Sequence, residues 1–522
     1  MTESPHPDPL HRTEDQDAVF ALLADPATHG IDEPVVRIDT HGAVVFLAGR
    51  DAYKVKRAVK FPFMDYGTAE RRRVACEAEV AINRPHAPGL YLGVVPITRT
   101  GGGVALGGGG TPVEHAVHMR RFDETMTLDR VAGRGELTDA MLEALVRAVL
   151  ASHAAAPVRD GRPATDDLAL YVTQNREAFA ENASIFPAAD AARLVERQAM
   201  AWTRAEALLV ARGTRGFVRR CHGDLHLRNV VLLDGRPVLF DAIEFSDPIA
   251  TGDVLYDLAF LIMDLWERGY PKAASLVLNR YLRAGGPEMT EGLAAMPLFL
   301  SLRASIRAKV TAAGVGALPP ARRPAAVDDA RRYFGLAAAA LDRPAPRLVA
   351  VGGRSGTGKT TLAAALAPRI GAIPGAVHLS SDVTRKRLAG VPETERLPPS
   401  TYTRAASADV YAALRADAAA VVATGMPVIV DAVHLDASER AAIRSVAEAA
   451  GARFTGLWLE APVAVLADRV GQRRGGPSDA TAEVVRMQAE VDTGRLDWTT
   501  IDASDGLDPM VEAAVRAIDG DP

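Results

Sequence analysis

The segment Gly353-Arg-Ser-Gly-Thr-Gly358-Lys359-Thr360 constrains the fold of this chain more than any other stretch. It follows the apolar run Leu348-Val-Ala-Val-Gly and opens the helix-forming run Thr361-Leu-Ala-Ala-Ala-Leu-Ala. A G-x4-G-K-T spacing in that setting requires a strand, a tight glycine turn and a helix whose first N–H groups point outward, which is a cradle for polyphosphate. Gly353, Ser355, Gly356, Thr357, Gly358, Lys359, Thr360 and Thr361 are expected to hold the nucleotide. Lys359 is also expected to act in transfer, spanning the β and γ phosphates, while Thr360 reaches Mg²⁺. Downstream, apolar runs at 377–380, 428–431 and 456–459 alternate with helical stretches, the pattern of a parallel α/β sheet. The run 428–431 ends on Asp431, where a strand-end carboxylate meets Mg²⁺ or its water.

A second pattern lies upstream, in His222-Gly-Asp224-Leu-His-Leu-Arg-Asn229. Two apolar strands follow, 229–233 and 237–241, joined by Asp234-Gly235-Arg and ending on Asp241. A loop before a hairpin can present a carboxylate, Asp224, to an acceptor hydroxyl and an amide, Asn229, to a metal. The hairpin then returns a second metal-binding carboxylate, Asp241. Two unrelated devices for nucleotide phosphates imply two ATP sites in one chain.

Bulk composition permits this and narrows the partners. The 522 residues are 48% apolar and 24% charged, enough for roughly two to four domains with their own cores. A net charge of −5 supplies no basic field, so nucleic acid is not implied and a small-molecule hydroxyl acceptor is the expected partner. The two cysteines, Cys76 and Cys221, have neither CxxC nor zinc spacing, which suits a reducing compartment without a structural disulfide. The N-terminus has no apolar signal core, and the longest apolar stretch, 258–265, contains Asp264. No membrane segment is expected, and the cytoplasm is the expected location.

Residues 1–28 read as a polar tail and a short helix near 16–24. Short β-rich runs at 35–39, 43–47 and 52–56 suggest an antiparallel meander, followed by a charged helix over 68–84. Strands near 93–97 and 113–119 flank residues 101–110, whose seven glycines suggest a floppy hairpin tip. Helical periodicity fills 137–213 and, with a break near 314–324, 253–343; Pro344-Ala-Pro346 marks the domain boundary.

Cys221-His-Gly-Asp-Leu-His-Leu-Arg-Asn-Val with Phe240-Asp-Ala-Ile-Glu-Phe resembles the aminoglycoside phosphotransferase family over about residues 30 to 340. The resemblance implies an α+β protein-kinase-like domain over 29–343, with an N-lobe at about 29–122 and a C-lobe at about 123–343. It implies Asp224 as catalytic base and Asn229 and Asp241 as Mg²⁺ ligands. Such an N-lobe needs a strand lysine and a helix glutamate. Lys54 and Lys56 share one strand face, so either could serve; Lys54 is favoured, with Glu79 preferred over Glu77. Met119-Arg-Arg-Phe122 resembles the hinge that reads adenine, giving Met119 and Phe122 as nucleotide contacts. No GxGxxG precedes Lys54, so the phosphate lid is undefined. Arg303 and Arg307 could meet an acidic acceptor or simply face solvent.

Residues 346–515 resemble P-loop kinases related to gluconate kinase, chloramphenicol phosphotransferase, polynucleotide kinase and zeta toxins. That resemblance implies an α/β P-loop domain over 346–522. Asp382 would contact the acceptor hydroxyl, Arg385 would steady the substrate, and a lid around Arg469, Arg473, Arg474 and Ser478-Asp479-Ala480 would close on the site. The domain order resembles proteins described as bifunctional aminoglycoside phosphotransferase/ATP-binding proteins. The expectation is an ATP- and Mg²⁺-dependent tandem kinase for hydroxyls of polar metabolites. Two alternatives stay open: one half binds ATP without chemistry, or the C-terminal half phosphorylates a nucleotide-sugar or a nucleic-acid end. The acceptors, the choice of ATP or GTP and the oligomeric state are not legible.

Overall fold

The computed structural model describes residues 12–61, 64–472 and 476–520. Residues 1–11, most of the expected tail, and Arg473 and Arg474 of the expected lid lie outside the described residues. Among the described residues no helix is long and apolar enough to cross a membrane.

Two compact units form: Met1–Glu267 with Leu298–Ala338, and Arg268–Pro297 with Ala339–Pro522. This differs from a single cut at 344–346. Residues 268–297, helical and amphipathic like their neighbours, read as more of the C-lobe. They pack instead on the C-terminal unit, where helix Pro271–Gly285 meets the turn Ala367–Arg369 and strand Val377–Ser380. Amphipathic periodicity reports that a helix has an apolar face, not which core receives it.

The first unit opens with helix Asp17–Ala24 and a six-stranded antiparallel sheet among the described residues. Its spatial order is Val36–Asp39, Ala43–Ala48, Asp51–Lys56, Thr111–Arg120, Tyr91–Thr100, Gly103–Leu106. The glycine-rich stretch expected to be a floppy tip contains the last of these strands. Gly103, Val104 and Ala105 pair back onto residues 98–100 and Gly107 bridges to Ile97, while Val104 and Leu106 pack with Val19 and Phe20. Three apolar residues with a surface to cover outweigh the entropy of their glycine flanks. Helix Ala69–Asn83, capped by the Thr68 side chain, lies on one sheet face and buries Cys76 and Val80 with Leu47, Ala52 and Val117. Beyond the sheet come the long helices Asp139–Ala155, Gly161–Glu181 and Ala188–Thr214, the hairpin Val230–Leu233/Arg236–Leu239, and the nearly all-buried helix Val254–Glu267.

The second unit is a five-stranded parallel sheet in the order Val377–Ser380, Val428–Asp431, Arg347–Gly353, Arg453–Glu460, Thr499–Asp502, with helices on its faces. Val349, Val351, Ile429, Leu457 and Ile501 meet Leu362, Leu366, Met510 and Val511 in one core cluster. Strand Arg347–Gly353 is central, so the glycine loop leaves the middle of the sheet's C-terminal edge, where crossover folds place their ligands.

Candidate active sites

The first site grows from the loop between strand Val218–Arg220 and the hairpin. Gly223 has φ +81°, and a Cβ there would stand 3.1 Å from Ala250 Cα, so only glycine allows the loop to turn beneath Asp224. His222 uses both ring nitrogens: Nε2 donates to Phe240 O at 2.9 Å and Nδ1 accepts from Asp224 N at 3.3 Å. Burial holds its pKa below the ordinary histidine value, in keeping with that neutral tautomer.

Asp224 Oδ2 accepts from Asn229 Nδ2 at 3.0 Å and lies 3.2 Å from His226 Nε2. Burial acts to raise the Asp224 pKa, but the His226 charge and hydrogen bond outweigh it and hold the carboxyl below its usual range. Oδ1 therefore stays ionised and is the oxygen left to meet an acceptor proton. Asn229 Nδ2 also donates to Asp224 O at 3.0 Å, so its Oδ1 points away from that bond.

Across from this loop, Lys54 Nζ lies 2.8 Å from Glu79 Oε1 and 2.6 Å from Asp241 Oδ1. Asp241 sits at φ +61°, with its N–H donating to Tyr91 OH at 3.0 Å. Desolvation opposes both charges, yet each partner stabilises the other: the Lys54 pKa is pushed well up and the Asp241 carboxyl is held down. Lys56 turns to the same Glu79, 2.5 Å from Oε2, and to Glu244, which Tyr66 OH also meets at 2.5 Å. Its side chain is 3% exposed against 16% for Lys54, so Lys54 is the cation that faces the cleft. Glu77 pairs with Arg73 on the outer helix face. Met119 is buried with Ala52 and Tyr91, and Phe122 meets Phe240 edge-on at 5.2 Å, forming an apolar floor beside the strand lysine.

This division of labour predicts different outcomes for the two lysines. Lys56→Met leaves buried Glu244 without its ion-pair partner and Glu79 with Lys54 alone, which costs about 3–5 kcal/mol. The first urea unfolding transition should move to lower denaturant. Lys54→Met should move it less and weaken nucleotide binding more, as read by calorimetry.

Sequence reasoning missed the frame under the loop from His222 to Asn229. Asp257 accepts from His222 N at 3.3 Å and Gly223 N at 2.8 Å, with His153 Nε2 3.1 Å away. Asp264 accepts from Leu227 N at 3.0 Å. Seven residues apart on helix Val254–Glu267, the two share a face and hold both ends of the loop. Two carboxylates inside an otherwise apolar helix were the available signal, because a buried carboxylate needs donors. Arg303 is not a solvent-facing residue. It is buried, donates to Gly223 O at 2.9 Å, and lies over the Tyr256 ring at 3.9 Å. Arg307 is half-buried over Tyr333.

In the second site the glycine loop carries Gly356 at φ +88°, where a Cβ would stand 2.7 Å from Leu466 O. Lys359 Nζ donates to Gly353 O and Arg354 O, each at 2.9 Å, and Thr357 Oγ1 to Arg354 O at 2.8 Å. Gly358 is the left-handed cap of helix Lys359–Leu366, whose first turn holds Thr360 and the exposed Thr361. Ser355 N donates to Gln488 Oε1 at 2.7 Å, a partner from helix Ala482–Ala489 that no motif pointed to.

Asp431 Oδ1 is 3.3 Å from Thr360 Oγ1 and 3.2 Å from Ser380 Oγ, and Oδ2 is 2.5 Å from His378 Nε2. Burial would raise its pKa, but His378 and Lys359 hold it down. Asp382 behaves oppositely: burial and the nearby Asp431 charge push its carboxyl up, with Ser478, Lys359 and Arg385 only partly offsetting them. Arg385 donates to Thr401 O at 2.8 Å and lies over the Tyr402 ring at 4.7 Å. Asp479 gathers Lys386 Nζ at 2.6 Å, Tyr402 OH at 2.6 Å and Leu397 N at 3.1 Å, so this part of the expected lid segment docks on helix Ser381–Leu388 and the residues after it. Arg469 turns away, donating to Ala503 O and Ser504 O.

Residues 103–297 match the family model for the phosphotransferase enzyme family, and residues 348–492 that for an AAA domain. An uncharacterised protein of Mycobacterium tuberculosis (strain ATCC 25618 / H37Rv), Rv2004c, is 32% identical over 480 residues, covering 89% of this chain and 93% of its own. Among solved structures, a gluconokinase from Sinorhizobium meliloti 1021 aligns with 34% of this chain and 94% of its own at 23% identity and a TM-score of 0.26. A choline/ethanolamine kinase family protein from Mesorhizobium loti aligns with 62% of this chain and 98% of its own at 15% identity and a TM-score of 0.36. The chain belongs to the family of the mycobacterial protein, and in it a phosphotransferase-family kinase-like domain is followed by a P-loop kinase-like domain.

Proposed function

We propose that both units are working cytoplasmic kinases, each transferring the γ-phosphoryl group of ATP to a hydroxyl of a small polar metabolite. The observation that carries this reading is the gathering, in each unit, of acids and a lysine around one loop: Asp241 meets Lys54 and feels the Asp224 charge, and Asp382 feels the charges of Lys359 and Asp431.

Both sites suit Mg²⁺. Asn229 Oδ1 and Asp241 Oδ2 enter no hydrogen bond among the described residues, and Thr360 and Asp431 offer a hydroxyl and an ionised carboxylate 3.3 Å apart. These are hard oxygen donors of the kind Mg²⁺ selects. Bound there, Mg²⁺ would neutralise charge on the polyphosphate. In the first unit Asp224 Oδ1 takes the acceptor proton as its oxygen forms the new bond to phosphorus. The bond from phosphorus to the bridging oxygen breaks, and ADP leaves. Lys54 holds the inner phosphates, and Met119, Phe122 and Phe240 give the base an apolar seat. In the second unit Asp382 takes the proton, and Lys359 leaves the loop carbonyls for the transferring phosphoryl group.

The opposite electrostatics of the two bases predict different pH profiles. A base acts when ionised, so activity is lost as pH falls through its pKa. The P-loop site, whose Asp382 is raised, should lose kcat/KM at a higher pH than the kinase-like site, whose Asp224 is lowered. Profiles of Lys359→Ala, which leaves the first site, and Asp224→Ala, which leaves the second, measure the two limbs separately. Coincident acid limbs would contradict the assignment.

The direct test is transfer of labelled γ-phosphate from Mg-ATP to a fractionated small-metabolite extract. Two labelled products, each removed by only one of the two variants, is the expected result. Nucleotide binding in both units without product would turn the reading toward ATP sensing.

A further inference from the structure

Strand Val377–Ser380 ends the parallel sheet and has one strand neighbour, Val428–Asp431. Its outer edge carries peptide groups that need partners if they are covered. Helix Pro271–Gly285, which sequence periodicity assigned to the other domain and which the phosphotransferase match also spans, packs along that edge. Asn279 is the contact. Its Oδ1 accepts from His378 N at 2.7 Å and its Nδ2 donates to Ala376 O at 3.2 Å, so one carboxamide replaces the peptide group of an absent strand. Nδ2 also donates to Ser275 O, 2.9 Å away and one turn earlier, which fixes the side chain on its own helix. One turn later Arg283 meets Glu393 at 3.0 Å, so the same helix face holds the loop after helix Ser381–Leu388.

The strand so completed carries two of the groups that hold Asp431. His378 and Ser380 are two residues apart and share a face. In the parallel register Ser380 stands opposite Asp431, and both side chains reach its carboxylate, at 2.5 and 3.2 Å. Asp431 in turn meets Thr360 of the glycine loop. A continuous series of hydrogen bonds thus runs from Asn279 through the edge strand and His378 to the carboxylate beside the phosphate cradle.

We propose that Asn279 is a positioning residue of the P-loop site: by closing the open edge of strand Val377–Ser380 it sets His378 against Asp431 and fixes the carboxylate that meets the nucleotide's divalent ion. The inference rests on the reading of this site as one for Mg-ATP. It assigns to the second site a residue from the middle of the sequence, outside the P-loop family match at 348–492. Outer-shell partners of a metal-binding carboxylate act through its orientation, and losing one costs about 10–100-fold in metal affinity.

The test uses the full chain with Lys54→Met and Asp241→Asn, which silence the first nucleotide site. ATP affinity is measured by calorimetry with Mg²⁺ and again with a chelator. For Asn279→Leu, the gain in affinity on adding Mg²⁺ should fall about tenfold, while Mg²⁺-free ATP affinity stays near that of the parent. Exchange of the His378 amide should accelerate, a readout that needs no nucleotide. Asn279→Asp, which keeps the acceptor for that amide but loses the donor to Ala376 O, should restore only part of the Mg²⁺-dependent gain. An unchanged gain, or equal loss with and without Mg²⁺, would overturn the proposal, since a purely structural role weakens both alike. If Asn279→Leu does not fold, His378→Gln must reproduce the tenfold loss, and its failure to do so is equally decisive. Absence of any Mg²⁺-dependent ATP binding in the parent would remove the Mg-ATP reading itself. An unchanged His378 exchange rate would remove the edge-closing role alone.

Discussion

Asp224→Ala is expected to lower phosphoryl transfer by the kinase-like unit about 10²- to 10⁴-fold while ATP still binds. The carboxylate is held by Asn229 and His226 through one oxygen and ionised by its surroundings, so its chemical task falls on the other oxygen. The side chain is 38% exposed, and the loop's frame rests on Asp257, Asp264 and Arg303 rather than on Asp224 itself. Removing it should leave the loop standing. The readout is kcat at saturating acceptor, with ATP affinity measured alongside. A loss confined to KM, with kcat intact, would move Asp224 from proton acceptor to substrate ligand.

Lys359→Ala carries the second large effect. Its ammonium rests on two carbonyls of its own loop, Gly353 O and Arg354 O, a cation stored beside the place where phosphate charge develops. Loss of one such preorganised group costs about 10²–10³-fold in kcat. Affinity for Mg-ATP should fall as well, because the same cation meets the ground-state phosphates. The product made by the first unit should persist unchanged. If both products disappear together, the two halves do not catalyse independently and the tandem reading fails.

The parts of both sites that lie on contiguous motifs were legible because local geometry places them. In Gly353 to Thr360 the chemistry and the turn belong to the same eight residues, and backbone N–H groups need no tertiary partner to point at an anion. The loop from His222 to Asn229 and the hairpin ending at Asp241 are joined by one tight turn, so Asp241 returns near Asn229 by chain connectivity alone. The sequence could also name Lys54 and Lys56 as neighbours on one strand face, because strands alternate.

Choosing between those lysines required helix Ala69–Asn83 in place. Both reach Glu79, and only the depth of Lys56 against Glu244 and Tyr66 leaves Lys54 facing the cleft. Arg303 read as either a cation for an acidic acceptor or one facing solvent, because its charge was visible and its burial was not. Asp257 and Asp264 showed only as two carboxylates in an apolar helix, and His378 and Gln488 belong to no local pattern, since each of the four acts on a segment distant in sequence.

By itself, then, the sequence determined two phosphate-handling loops, the strand or helix each opens, and the class of fold around each, all consequences of short-range backbone geometry and side-chain period. Only the tertiary structure decided which acids hold the loop from His222 to Asn229, which of the two strand lysines is the more exposed, and that residues 268–297 pack with the P-loop unit. Burial and the pairing of distant polar groups decide such matters. A helix with an apolar face and an asparagine has no partner until the chain around it has folded.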